Sequence, residues 1–99
     1  MSQTNESNNK IARISDLKGL GPKSEQMLAQ VNIYTVDEFM QNDPIEIYAQ
    51  LKRTLPEVSL NALYAMIGAQ KDIHWLEVRK NQKEEILIKL DDKGIAPKR

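Results

Sequence analysis

The chain has 99 residues, 40% of them hydrophobic and 28% charged, which is the composition of one globular domain. Its 14 basic and 14 acidic side chains give zero net charge, which argues against tight autonomous DNA binding because phosphate contacts supply most of the affinity of such proteins. The absence of cysteine excludes disulfides and cysteine-based metal sites, and no apolar run approaches the roughly 20 residues that span a bilayer. We therefore expect a cytoplasmic protein without a membrane anchor.

The first part of the chain divides into a polar lead-in and a short helix. Residues 1–12 are rich in serine, asparagine and glutamine and have no apolar periodicity. We expect this lead-in to be disordered, because it cannot bury enough apolar surface to offset its ordering entropy. Ser15 is then predicted to cap a short helix that carries Asp16 and Leu17.

A glycine-containing turn and a second helix follow. Gly19 and Gly21 permit a tight turn, and Pro22 suits the first position of a helix, where its missing N–H costs nothing. Asn32 tolerates the left-handed conformation that ends such a helix. The apolar stripe of the helix consists of Met27, Leu28 and Val31.

The third helix is predicted to be short and well capped. Thr35 and Glu38 have the spacing of a capping box, and Tyr34 and Phe39 have the spacing of a hydrophobic staple. The predicted apolar face consists of Val36, Phe39 and Met40.

Two longer helices are expected in the middle of the chain. Asp43 and Pro44 begin the first of them, and Pro56 stops it. Ser59 is the predicted cap of the next, which extends to about Gln70 and is expected to be the central buried helix. Its apolar positions follow helical spacing at Leu60, Leu63, Tyr64 and Ile67.

The C-terminal part is predicted as a connection over residues 71–78, a helix over residues 79–92 and a flexible basic tail over residues 94–99. No segment has the alternation of a strand. The sequence therefore predicts an all-α fold of five to six short helices within residues 13–93, including a helix-hairpin-helix-like element around the glycines.

Several runs resemble the TfoX C-terminal domain family. They are the residues from Leu17 to Leu28, which read LKGLGPKSEQML, the run from Ser59 to Ala65, and the pairs Gly68-Ala69 and His74-Trp75. The resemblance covers about residues 15 to 90 and implies a helical domain built on a helix-hairpin-helix-like element. It also implies a link to bacterial regulators of natural competence for DNA uptake. In those regulators the domain follows an N-terminal domain, so we expect this chain to be a stand-alone version.

Two functional hypotheses remain open for the glycine turn. In the first, backbone amides of Gly21, Lys23 and Ser24 at the helix N-terminus bind a DNA phosphate weakly, beside Gly19, with charge added by Lys23 and Lys18. In the second, the glycines only permit a tight turn, and the protein is an interaction adaptor or small homodimer without nucleic-acid binding.

Trp75 is the candidate anchor for a protein partner or a stacked base, and the alternative is that it covers the core at a helix start. The tyrosines Tyr34, Tyr48 and Tyr64 are further candidates for exposed contacts. We expect no catalytic residue, since the chain has no cysteine nucleophile, Gly-x-Ser-x-Gly elbow, P-loop or His-Glu-x-x-His motif. We likewise expect no metal, cofactor or small-molecule substrate.

Overall fold

The computed structural model describes residues 13–96, which are folded as helices joined by short loops. Within these residues there is no strand, and the predicted all-α fold is confirmed. The expectations for residues 1–12 and for the end of the tail, residues 97–99, lie outside the described residues. The elements are a 3-10 helix at Ile14–Asp16, α1 at Pro22–Ala29, α2 at Val36–Gln41, α3 at Pro44–Thr54, α4 at Leu60–Lys71 and α5 at Trp75–Asp92.

The central element is α4, as predicted, because it packs against both α3 and α5. Half of its positions are buried, and Leu63 and Tyr64 are almost completely removed from solvent. Apolar side chains from the other helices, among them Leu28, Phe39, Leu51 and Leu90, complete one continuous core.

Gly68 is explained by the turn between α4 and α5. A Cβ at this position would lie 2.5 Å from the carbonyl oxygen of Ile73 and 3.4 Å from the backbone nitrogen of Trp75. The turn closes on α4 through Asp72, which is left-handed at φ 59°, and the Ile73 N–H donates to the Gly68 carbonyl at 2.9 Å. Only glycine allows the chain to return this closely.

Most predicted helix ends are confirmed. Pro22 and Pro44 occupy the first turns of α1 and α3, and the Asp43 carboxylate accepts the Ile45 N–H. Thr35 and Glu38 form both bonds of the capping box. Asn32 is left-handed at φ 65°.

Two predicted boundaries are wrong. Ser15 does not cap the first helix but lies within it, and its N–H donates instead to Glu25. The last helix begins at Trp75 rather than at residue 79, because the Nδ1 atom of His74 accepts the Leu76 N–H at 3.1 Å and so acts as the cap.

Some predicted burial is also wrong on α2. Met40 is 44% exposed, although it was expected on the apolar face. Tyr34 is 65% exposed while Phe39 is fully buried, so the two do not form a staple. The backbone N–H of Tyr34 donates to the Glu38 carboxylate, and this bond accounts for its position outside the core. Tyr48 and Tyr64, in contrast, are buried and unavailable as exposed contacts.

Candidate functional site

The segment that we call the glycine loop, residues 17–21, connects the 3-10 helix to α1. The Leu20 N–H donates to the Leu17 carbonyl at 3.0 Å and closes the turn. Gly19 has φ +82°, so its glycine is required by the backbone. Gly21 has φ −146°, which any residue adopts, and a Cβ there would meet no heavy atom within 4 Å. Position 21 therefore favours glycine only as the N-cap of α1, where serine, asparagine or aspartate would serve as well.

The residues predicted to contact phosphate lie at this loop and in the first turn of α1. Lys18 and Lys23 are exposed and Ser24 is half-buried. The Lys23 and Ser24 N–H groups belong to the first turn of a helix, where amides have no intrahelical partner. The site thus presents backbone donors, a favourable helix dipole and two lysine side chains on the surface.

The acidic residue nearest to this site in α1 is already engaged by a partner. The Glu25 carboxylate accepts from the Arg13 guanidinium at 2.9 and 3.3 Å and from the Ser15 N–H at 2.9 Å. These hydrogen bonds, that from Arg13 foremost, lower the pKa of Glu25 to about 2. The negative charge of Glu25 is therefore balanced locally by Arg13.

A second segment, which we call the proline loop, residues 55–59, connects α3 to α4 with a similar turn, although Glu57, which takes the place of Gly19, does not share its positive φ. The Val58 N–H donates to the Leu55 carbonyl at 2.9 Å. Ser59 then holds the extended N-cap position before α4 without a side-chain capping bond, as Gly21 does before α1. Leu17, Leu20 and Gly21 thus correspond to Leu55, Val58 and Ser59.

A left-handed polar residue follows both helices, directly after α4 and three residues after the end of α1. Asn32 after α1 and Asp72 after α4 are the only non-glycine residues with positive φ among residues 13–96. Each is followed by an isoleucine whose N–H donates back into the helix, from Ile33 to Leu28 at 3.0 Å and from Ile73 to Gly68 at 2.9 Å. The molecule therefore contains two loop-helix units of similar design, and our sequence analysis missed this internal repeat. Its signal is Leu-x-x-Leu in one unit and Leu-x-x-Val in the other, each directly before a helix cap.

An open groove of about 730 Å³ lies between the two units. Part of its lining comes from corresponding positions of both units, namely the pairs Gly19 and Glu57, Lys23 and Asn61, Ser24 and Ala62, and Met27 and Ala65. Three of the predicted phosphate-binding residues, Gly19, Lys23 and Ser24, therefore lie at this groove. The other two, Lys18 and Gly21, are their neighbours in the chain but do not line it.

Trp75 lies at the same groove. Its side chain is half-buried against the core, and its ring stacks on His74 with centroids 6.0 Å apart. Trp75 therefore packs against the core as the first residue of α5, while part of the indole still lines the groove. The structure brings together Trp75 and the glycine-loop residues, which the sequence analysis treated as separate sites.

Residues 13–96 contain neither a metal-binding cluster nor a membrane-spanning helix. No group of histidine, aspartate or glutamate side chains in residues 13–96 is arranged to hold a metal ion. Over the same residues, no helix has the length and apolar character needed to cross a bilayer.

Comparisons with known proteins agree with the sequence resemblance. A family model described as the TfoX C-terminal domain matches residues 10–90. A crystal structure of an uncharacterised protein from Listeria monocytogenes, in a triclinic form, superposes with a TM-score of 0.73 at 25% identity. The superposition covers 88% of this chain and 100% of the Listeria chain. No curated protein matches the chain.

Proposed function

The chain belongs to the TfoX C-terminal domain family, and from that premise we propose that it is a cytoplasmic regulatory module that contacts the DNA backbone. The contact is made through a helix-hairpin-helix motif formed by the 3-10 helix, the glycine loop and α1. The module serves regulation linked to competence for DNA uptake, as the family relationship suggests. It acts by binding and not by catalysis.

The observation that carries this proposal is Gly21. Neither its φ nor its surroundings require a glycine, and the more strongly favoured N-cap residues serine, asparagine and aspartate would fit there, so the backbone is left more open than the fold demands. A phosphate that approaches the amides of Lys23 and Ser24 does require such an open backbone. Glycine at position 21 thus leaves the amides accessible, while the positive φ of Gly19 needs glycine for its conformation.

The charges at the loop fit a weak and sequence-independent contact. Lys18 and Lys23 are exposed, and the Glu25 carboxylate is neutralised by Arg13. Because the whole chain has no net charge, the long-range attraction to DNA is small. We therefore expect weak binding with a salt slope of about −1 to −2, as two lysine contacts to phosphate would give, and little dependence on base sequence.

The test is fluorescence anisotropy of a labelled DNA duplex at increasing salt concentration. Replacing Lys23 by glutamate should weaken binding equally for unrelated sequences and reduce the salt slope of log K by about 1. The matched control is Lys80→Glu, which makes the same charge change at an exposed position on α5. Equal losses in the two variants, or no binding at low salt, would contradict the proposal.

A second candidate function is a protein-interaction adaptor or small homodimer. It is favoured by Tyr34 and Met40, which are 65% and 44% exposed on the same short segment around α2. Sedimentation of the wild type and of Tyr34→Ser at high concentration tests the homodimer. A strict monomer in both cases would remove it.

A further inference from the structure

We propose that the groove between the two loop-helix units holds an unpaired base of a single nucleic-acid strand, while Lys23 and the glycine loop hold its phosphate. This inference rests on the proposed function and specifies its ligand. The bases of a duplex are stacked and paired inside the helix and do not reach such a groove, so the preferred ligand is single-stranded.

The charge distribution along the groove favours one strand over two. The glycine-loop unit contributes Gly19, which has no side chain, and Lys23, which carries a positive charge. At the corresponding positions the proline-loop unit contributes Glu57 and Asn61, so it has a carboxylate and no cation. Glu57 repels a phosphate at the second loop. A backbone therefore follows the glycine-loop side of the groove only.

The lining of the groove fits an aromatic base. Trp75 and Met27 present a ring and a polarisable thioether, and Ala62 and Ala65 leave space between the two helices. An aromatic side chain contributes to binding of any base, because every base has a π-face.

The polar groups at the groove are mostly uncharged. Gln26, Gln30 and Asn61 carry carboxamides, which both donate and accept hydrogen bonds and so match the edges of any base. A groove that binds an acidic or basic peptide would need several charges of one sign. The charged residues that line this groove are only Lys23 and Glu57, which have opposite signs. The groove is thus suited to an uncharged planar group attached to one phosphate.

The experiment uses the fluorescence of Trp75, the single tryptophan of the chain. The full chain is titrated at low salt with a short oligothymidylate and, separately, with a blunt-ended duplex of the same length. We expect the single strand to quench the Trp75 emission and to bind about tenfold more tightly than the duplex, as expected for one stacked base.

Two variants locate the base. Ala65→Gln places a long side chain in the groove and should remove the preference for the single strand, with folding verified by circular dichroism. The matched control is Ala29→Gln, a half-buried alanine of α1 outside the groove, which should keep the preference.

The outcomes separate this inference from the proposed function. Duplex binding that depends on Lys23 and equals or exceeds single-strand binding, with unchanged Trp75 emission, would overturn the inference and leave the proposed function standing. Loss of the preference in both glutamine variants would also overturn it. If neither the single strand nor the duplex binds at low salt, the inference and the proposed function are both wrong. A protein segment would then be the expected occupant of the groove.

Discussion

The glycine-loop unit, residues 17–33, and the proline-loop unit, residues 55–73, have similar turns and helices but differ in chemistry and in the positive φ that Gly19 alone adopts. In both, a four-residue turn enters a helix, after which a left-handed polar residue is followed by isoleucine. The glycine-loop unit keeps an open backbone and a lysine at its helix start, whereas the proline-loop unit has Glu57 and Asn61. The proline-loop unit instead carries the central helix α4. The proline-loop unit therefore supplies the central packing helix, whereas the glycine-loop unit is the proposed contact with the phosphate.

The largest difference concerns glycine substitution. Gly68→Ala in the proline-loop unit should lower the free energy of unfolding by about 2–3 kcal/mol, because the new Cβ would lie 2.5 Å from the Ile73 carbonyl oxygen. Gly21→Ala should cost at most about 1 kcal/mol, because only the preference for glycine over alanine at a helix N-cap is lost and a Cβ there meets no heavy atom within 4 Å. Urea denaturation of both variants checks this, and similar losses in the two would contradict the contrast.

The next effect concerns Gln70, which joins α4 to the end of α2. Its Nε2 atom donates to the Phe39 and Asn42 carbonyls, both at 2.8 Å. Gln70→Glu removes this donor and should destabilise the protein by about 2 kcal/mol. Gln50→Glu, at an exposed position of α3, is the control for the added charge. A shift of the urea midpoint that is the same in both variants would refute a specific role for the Gln70 amide.

A smaller effect is expected at Gly19. Because its φ is +82°, Gly19→Ala should cost about 1–2 kcal/mol, unlike Gly21→Ala in the same loop. The urea midpoints of Gly19→Ala and Gly21→Ala test whether only position 19 needs glycine for its backbone conformation. An unchanged midpoint for Gly19→Ala would show that the loop relaxes without strain.

The smallest effect is the pH dependence of the Glu25 ion pair. The folded-state pKa of Glu25 is about 2, below the ordinary value of 4.5, so the pair stabilises the protein above pH 4.5. This stabilisation should be lost as the pH falls from 4.5 towards 2. The measurement is the difference in urea midpoint between wild type and Glu25→Gln across this range, which should shrink towards low pH. A constant difference would exclude the pair as its cause.

The sequence predicted correctly those parts of the fold that depend on residues close together in the chain. The helix starts at Pro22, Asp43-Pro44 and Thr35 depend on caps and first-turn residues next to each other in the chain. The start of α5 was missed because an imidazole that accepts a backbone N–H is not among the usual caps.

Only the part of the candidate site that is local in sequence could be predicted. The glycine-loop residues are recognisable locally, but the groove depends on α1 lying beside α4, which are far apart in the chain. The Gln70 bonds to α2 are equally non-local. Side-chain exposure on α2 was wrong at Met40, because a helix of six residues is too short for periodicity to define its buried face.

The most direct test of the central claim is an NMR titration of the nitrogen-15-labelled chain with a short DNA oligonucleotide. If the glycine loop binds the backbone, the largest amide shifts should fall on Gly19, Gly21, Lys23 and Ser24, and Gly21→Ala should reduce them without unfolding the protein. Shifts centred on α2 or α5, with the glycine-loop amides unchanged, would contradict the claim.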